Sequence, residues 1–208
     1  MDFDLRSLLL NIPGILFGFT IHEFAHAWTA WKLGDDTAER QGRLTLNPLA
    51  HLDPMGTLLI LFAGFGWARP VPVNPARFQH PRRDDVLVTL AGPASNLVTA
   101  GLMAVAYRLI PAGGAESLSG AFSELLYRGI YFNLLLCFFN LIPIFPLDGA
   151  RILRGLLPLN QAYAFSKLES VGPLILLAII ALGSYARIDI LGRIIGPPIK
   201  LFMGVFTT

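Results

Sequence analysis

Two stretches of this chain, 86–107 (VLVTLAGPASNLVTAGLMAVAY) and 129–147 (GIYFNLLLCFFNLIPIFPL), contain no charged residue, and a third, 7–31, contains one. A helix needs about 20 mostly apolar residues to cross the hydrocarbon core of a bilayer. Each of these runs supplies them, and a fourth uncharged run, 170–186, is just long enough. Only 14% of the residues are charged and 54% are hydrophobic, whereas a soluble domain carries about a quarter charged residues. So few charges cannot cover a core of this size with a water-facing surface. A soluble globular fold is excluded, and so is a disordered chain. Nucleic-acid binding is excluded as well: 16 Lys+Arg against 14 Asp+Glu leave a net charge of +2, and no basic run exceeds two residues. The single cysteine, Cys137, can form neither an intramolecular disulfide nor a cysteine-based zinc site.

The pattern predicts an all-α polytopic membrane protein with about four transmembrane helices, near 7–31, 86–107, 125–147 and 170–187. The first run is too long for a signal peptide and lacks a small-residue cleavage site. Residues 54–68, apolar but only 15 long and flanked by Pro54 and Pro70, suit a re-entrant segment better than a span. RLTL (43–46) and RPVPV (69–73) alternate like short strands, which predicts a β-hairpin-like element around the re-entrant run. Pro70, Pro72 and Pro75 confine the second of them to an edge. The tail, 188–206, mixes Ile and Leu with Asp189, Arg193, Lys200 and a Pro197-Pro198 break, and reads as an interfacial or half-spanning helix. The connection 111–122 is too short to house a domain, so residues 1–208 form one membrane-embedded unit. Positive charge orients it: 32–84 holds seven Lys/Arg, 111–122 none and 148–169 three. The segments 32–84 and 148–169 are therefore cytoplasmic.

Against this apolar background HEFAH (22–26) stands out. Positions i and i+4 share a helix face, so His22 and His26 can bind one metal from the same side. Glu23 lies beside them, in the arrangement of a metalloprotease helix: two imidazole ligands and a general base. The bland alternative is a buried polar knot between helices, but three ionisable groups in one apolar run are costly without a partner or a metal. A catalytic zinc site needs a third protein ligand. Asp148 is the only acidic residue between Glu124 and Glu169, and it ends the third run. It is equally placed to cap the following ARILRGLL helix. His51 and His80 are weaker ligand candidates, each in a polar segment.

HEFAH, AGPASN (91–96) and NLIPIFPLDG (140–149), in that order on three separate spans, resemble the site-2 protease family of intramembrane zinc metalloproteases. RLTLNPLAHLDPMGTLL (43–59) and GWARPVPVNP (66–75) are similar to segments of its compact prokaryotic members. The resemblance implies one zinc ion per chain held by His22, His26 and Asp148, with Glu23 as the catalytic base. Asn96, which ends the G-x-x-x-N element, becomes a candidate to bind substrate backbone or the oxyanion; its alternative is helix packing. Asn140 is expected to be structural. The resemblance further implies single-span membrane proteins as substrates and the lipid bilayer as surroundings. It also implies a prokaryotic cell membrane with the site towards the cytoplasm. The PDZ and CBS domains of larger relatives have no room here. A membrane metal-binding or transport protein could use the same cluster, although transporters often show paired repeats and none is visible.

Overall fold

The computed structural model describes residues 5–63, 66–110, 117–186 and 189–208. Among them lie α1 (Leu5–Lys32), α2 (Thr37–Arg40), α3 (Pro54–Ala63), α4 (Pro81–Leu109), α5 (Leu118–Asn140), α6 (Asp148–Leu156), α7 (Leu159–Ser166), α8 (Gly172–Ala186) and α9 (Ile190–Thr207). The first part of the 111–122 connection, residues 111–116, lies outside the described residues.

Three long helices, α1, α4 and α5, pack mutually and form the scaffold. The first covers the expected span 7–31 from end to end. By length and composition α4, α5 and α9 are each able to cross a membrane. Their buried faces meet in one core: Ala100 and Ala104 from α4, Ile130 and Leu134 from α5, and Ile195, Ile199 and Met203 from α9, closed by Leu176 of α8. Their outer faces carry Val98, Leu102, Val105 and Leu201 exposed, as helices surrounded by lipid do.

The expected fourth span and the tail form the helices α8 and α9. The fourth apolar helix, α8, is 15 residues long, about 22 Å against a hydrocarbon core of about 30 Å. The tail forms the 18-residue α9, with Pro197 and Pro198 inside it. Its charged residues Arg193 and Lys200 fall on the exposed face, so the opposite face is free to pack on the bundle. Within 54–68, expected to be re-entrant, the 10 residues of α3 make a rod of about 15 Å; residues 64 and 65 lie outside the described residues.

The expected strands at 43–46 and 69–73 do not form. One antiparallel bridge, Leu52 with Ala68, is the sheet-like pairing among the described residues. The reason lies in where the backbone groups go. Pro70 and Pro72 supply no N–H. The carbonyls of Arg69 and Pro70 accept from the Arg43 guanidinium, and the Val71 amide donates to Glu23. Side chains have taken the partners that a ladder would need. The extended segment is fixed further on, where Asn74 N donates to the fully buried Asp35 at 2.6 Å. Val71 packs on Ala27 of α1, so the segment lies across the C-terminal half of that helix.

Candidate active site

In α1 the His22 and His26 rings point the same way, and their Nε2 atoms are 3.0 Å apart. Asp148 Oδ2 completes a triangle, 3.1 Å from His22 Nε2 and 3.3 Å from His26 Nε2. All three side chains are buried, and this oxygen has no hydrogen-bond partner. An orphaned buried carboxylate oxygen is costly unless something positive satisfies it. Four ligands about 2.0 Å from a tetrahedral zinc stand about 3.3 Å apart, and the triangle has that edge. Among the described residues, this is the group of His, Cys, Asp and Glu side chains able to hold a metal. Donor set and spacing both fit zinc.

The outer ring nitrogens are engaged in a way that leaves the inner ones free. His26 Nδ1 donates to the Val88 carbonyl at 2.8 Å, and His22 Nδ1 donates to Asn96 Oδ1 at 2.6 Å. A ring that donates through Nδ1 presents the Nε2 lone pair inwards, as a metal ligand must. The Asn96 amide is oriented by its other contacts: Nδ2 donates to Gly18 O and to Asn133 Oδ1, each at 3.0 Å. Both of its donors are spent. Asn96 is completely buried against His22 and has no donor left to offer an incoming carbonyl. Asn133, an equally buried amide on α5, donates in turn to Gly129 O at 2.9 Å. Asn140 donates to Leu136 O within its own helix.

Space for the rings comes from Gly92. A Cβ there would overlap the His26 imidazole and stand 2.7 Å from His22 Cε1. The small residues of AGPASN therefore do more than bring two helices together. One of them makes the cavity in which the two imidazole rings sit.

Asp148 does not cap α6. Leu147 is the N-cap residue and lends no side-chain bond, while Asp148 is the first helical residue. Its carboxylate is turned towards the histidines instead. Gly149 follows it because a Cβ would meet the carbonyl oxygens of Leu141 and Ile142; a close approach rather than a turn requires glycine here. The helix is held on α4 by an ion pair between Arg151 Nη2 and Asp85 Oδ1 at 2.5 Å, and by Arg82 Nε donating to Gly155 O at 2.7 Å. Asp85 is buried and Arg151 partly exposed. Replacing Asp85 with alanine should cost about 1–3 kcal/mol, less than for a fully enclosed pair. Thermal unfolding in detergent would read this as a lower midpoint, and an unchanged midpoint would deny the pair a structural role.

Glu23, next to His22 in α1, is buried, with Oε2 accepting from Val71 N at 2.9 Å. The nearby Arg43 is also buried, and burial pulls its pKa below the usual arginine value; the Glu23 charge opposes that shift and Arg69 adds to it. The two weaker candidates stand apart. His51 is enclosed, with Nε2 donating to Thr45 O at 2.8 Å. His80 is exposed at the start of α4.

Residues 108–183 match the model of peptidase family M50. Over 198 residues the chain is 47% identical to "Putative zinc metalloprotease YwhC" of Bacillus subtilis, covering 92% of this chain and 90% of that protein. Relatives of the same designation are Rip2 of Mycolicibacterium smegmatis, 32% identical over 83% of this chain and 66% of its own length, and MJ0611 of Methanocaldococcus jannaschii, 26% identical over 74% and 73%. No solved structure is matched. An all-α membrane fold, a buried triangle of two imidazoles and a carboxylate that fits zinc, and similarity along nearly the whole length of a zinc metalloprotease homologue lead to one conclusion: the chain belongs to the site-2 protease family, peptidase family M50.

Proposed function

We propose that this chain is a zinc-dependent intramembrane endopeptidase that cuts peptide bonds within or near the transmembrane helices of single-span membrane proteins, as in regulated intramembrane proteolysis. Residues 1–208 act as one membrane-embedded unit. The observation that carries the reading is the triangle of His22 Nε2, His26 Nε2 and Asp148 Oδ2, with Glu23 next to His22 in the same helix.

In this reading His22, His26 and Asp148 hold the metal. Bound zinc supplies a Lewis acid that polarises the scissile carbonyl and brings the pKa of water towards about 7. Glu23 takes the proton from the attacking water and returns it to the leaving amine. Asn96 keeps His22 in the ligating tautomer; its spent donors favour that positioning role over contact with the oxyanion.

The site faces the cytoplasm. His26 lies six residues before Lys32 at the end of α1, about 9 Å along the helix. Trp28 and Trp31 are part-exposed there, and the Lys32 ammonium stands 4.6 Å over the Trp31 ring. Tryptophan and lysine mark the membrane–water boundary, which brings water within reach of the site. The seven Lys/Arg of 32–84 support the cytoplasmic side for that boundary.

Metal removal tests the reading. Protein purified in detergent should carry one zinc per chain and cleave a single-span peptide inside its apolar segment, with the cut located by mass spectrometry. A chelator should abolish cleavage and added zinc restore it. Cleavage that survives complete loss of the metal would overturn the proposal.

A further inference from the structure

Arg43 takes two of the carbonyls that a ladder at 69–73 would need, and it does so at a cost. Its side chain is buried, with 6% of the residue exposed, and its Nε has no hydrogen-bond partner. A guanidinium in such a place must be held by strong acceptors. Nη2 donates to the Arg69 carbonyl at 2.6 Å and Nη1 to the Pro70 carbonyl at 3.3 Å. Arg69 N donates in turn to His51 O at 2.8 Å. The next residue after Pro70, Val71, turns its amide onto Glu23 Oε2 at 2.9 Å. Pro70 and Pro72 flank it, so this N–H is the one backbone donor that 70–72 can offer.

A glutamate side chain has three rotatable torsions. Holding one carboxylate oxygen by a rigid donor narrows the positions that the other can take. We infer that Arg43 is a positioning residue for Glu23: by clamping the Arg69 and Pro70 carbonyls it presents the Val71 amide to Oε2, and so reserves Oε1 for proton transfer. The inference rests on the reading of Glu23 as the base. Nothing in RLTL (43–46), taken as a sequence, marks its arginine for this task. The fold brings it there by laying an extended segment, which pairs with side chains in place of a strand, across the catalytic helix.

Two variants test it from opposite ends. Val71→Pro removes the donor at a residue that Pro72 already confines to extended conformations; Val71→Ala, which keeps the amide and loses the packing on Ala27, is its control and should keep the wild-type kcat. Arg43→Ala removes the clamp and leaves a space that free guanidinium ion can enter. Both should keep wild-type zinc content and KM for the same single-span peptide, while kcat falls about 10–100-fold, the scale of a small misplacement of a catalytic group. Millimolar guanidinium should raise kcat of Arg43→Ala and leave Val71→Pro unchanged, since only the first retains the amide donor. Methylammonium should rescue neither. A kcat of Val71→Pro within about twofold of wild type, or a loss explained by zinc content or KM, would overturn the inference; Val71→Pro decides alone if Arg43→Ala fails to fold. Glu23→Gln separates the two levels of the reading. If it is inactive while Val71→Pro is fully active, the positioning role fails and the base stands; if it still cleaves, the base itself fails.

Discussion

Replacing Glu23 with glutamine should leave zinc in the protein and remove cleavage. Glutamine has nearly the same shape, and its carbonyl oxygen can still accept from Val71 N. The ligand triangle is untouched, because Glu23 contributes no atom to it. What disappears is the capacity to take up a proton. General-base catalysis contributes about 10²–10⁴-fold, so kcat should fall by at least the lower figure. Metal analysis of the purified variant and a time course on a single-span peptide check both halves. Equal rates in the two proteins would exclude Glu23 as the base, and loss of zinc would place it among the ligands.

Gly92→Ala should do the opposite and empty the site. A methyl group at 92 overlaps the imidazole of His26 and crowds Cε1 of His22. Neither ring can retreat cheaply, since each is tied at Nδ1, to the Val88 carbonyl and to Asn96. The helices α1 and α4 must separate or the rings must rotate, and either response breaks the 3.0–3.3 Å triangle. Loss of a ligand's support alone weakens metal binding about 10–100-fold, and displacement of two ligands should exceed that. Gly196→Ala is the control. A Cβ there meets nothing within 4 Å, and alanine favours a helix over glycine by about 1 kcal/mol. Zinc affinity measured by chelator competition should collapse in the first variant and hold in the second. A Gly92→Ala protein that binds zinc like the wild type would mean that the rings do not pack on α4 as described.

Scarcity of charge made much of the site legible. His22, Glu23, His26 and Asp148 stand out because the apolar runs hold so few charged groups, and the fold brings the Asp148 carboxylate to the two imidazoles. The same habit of counting charges hid Asn133. It is polar yet uncharged, so the 129–147 run looks featureless, although its amide is the far support of Asn96. Asn96 is visible in its motif, but only the fold shows that all its donors are used. The Val88 carbonyl carries no side-chain signal at all. Alternation at RLTL and RPVPV reports where side chains point and is silent about backbone partners, and those partners are the Arg43 guanidinium and the Glu23 carboxylate. The Pro197-Pro198 pair reads as a break in a linear pattern; in α9 the exposed face accommodates it while Ile195, Ile199 and Met203 stay buried.

The triangle draws its corners from distant parts of the chain. Two are on the first helix, and the third arrives only when α6 docks through Asp85 and Arg151. A chain emerging from the ribosome therefore carries its histidines into the bilayer long before it can bind metal tightly. On the proposed function, competence to hydrolyse comes last, after the helices have closed around one another. A partly inserted or misassembled copy would be inert, which is a safeguard for a protease that shares its membrane with every other newly made protein.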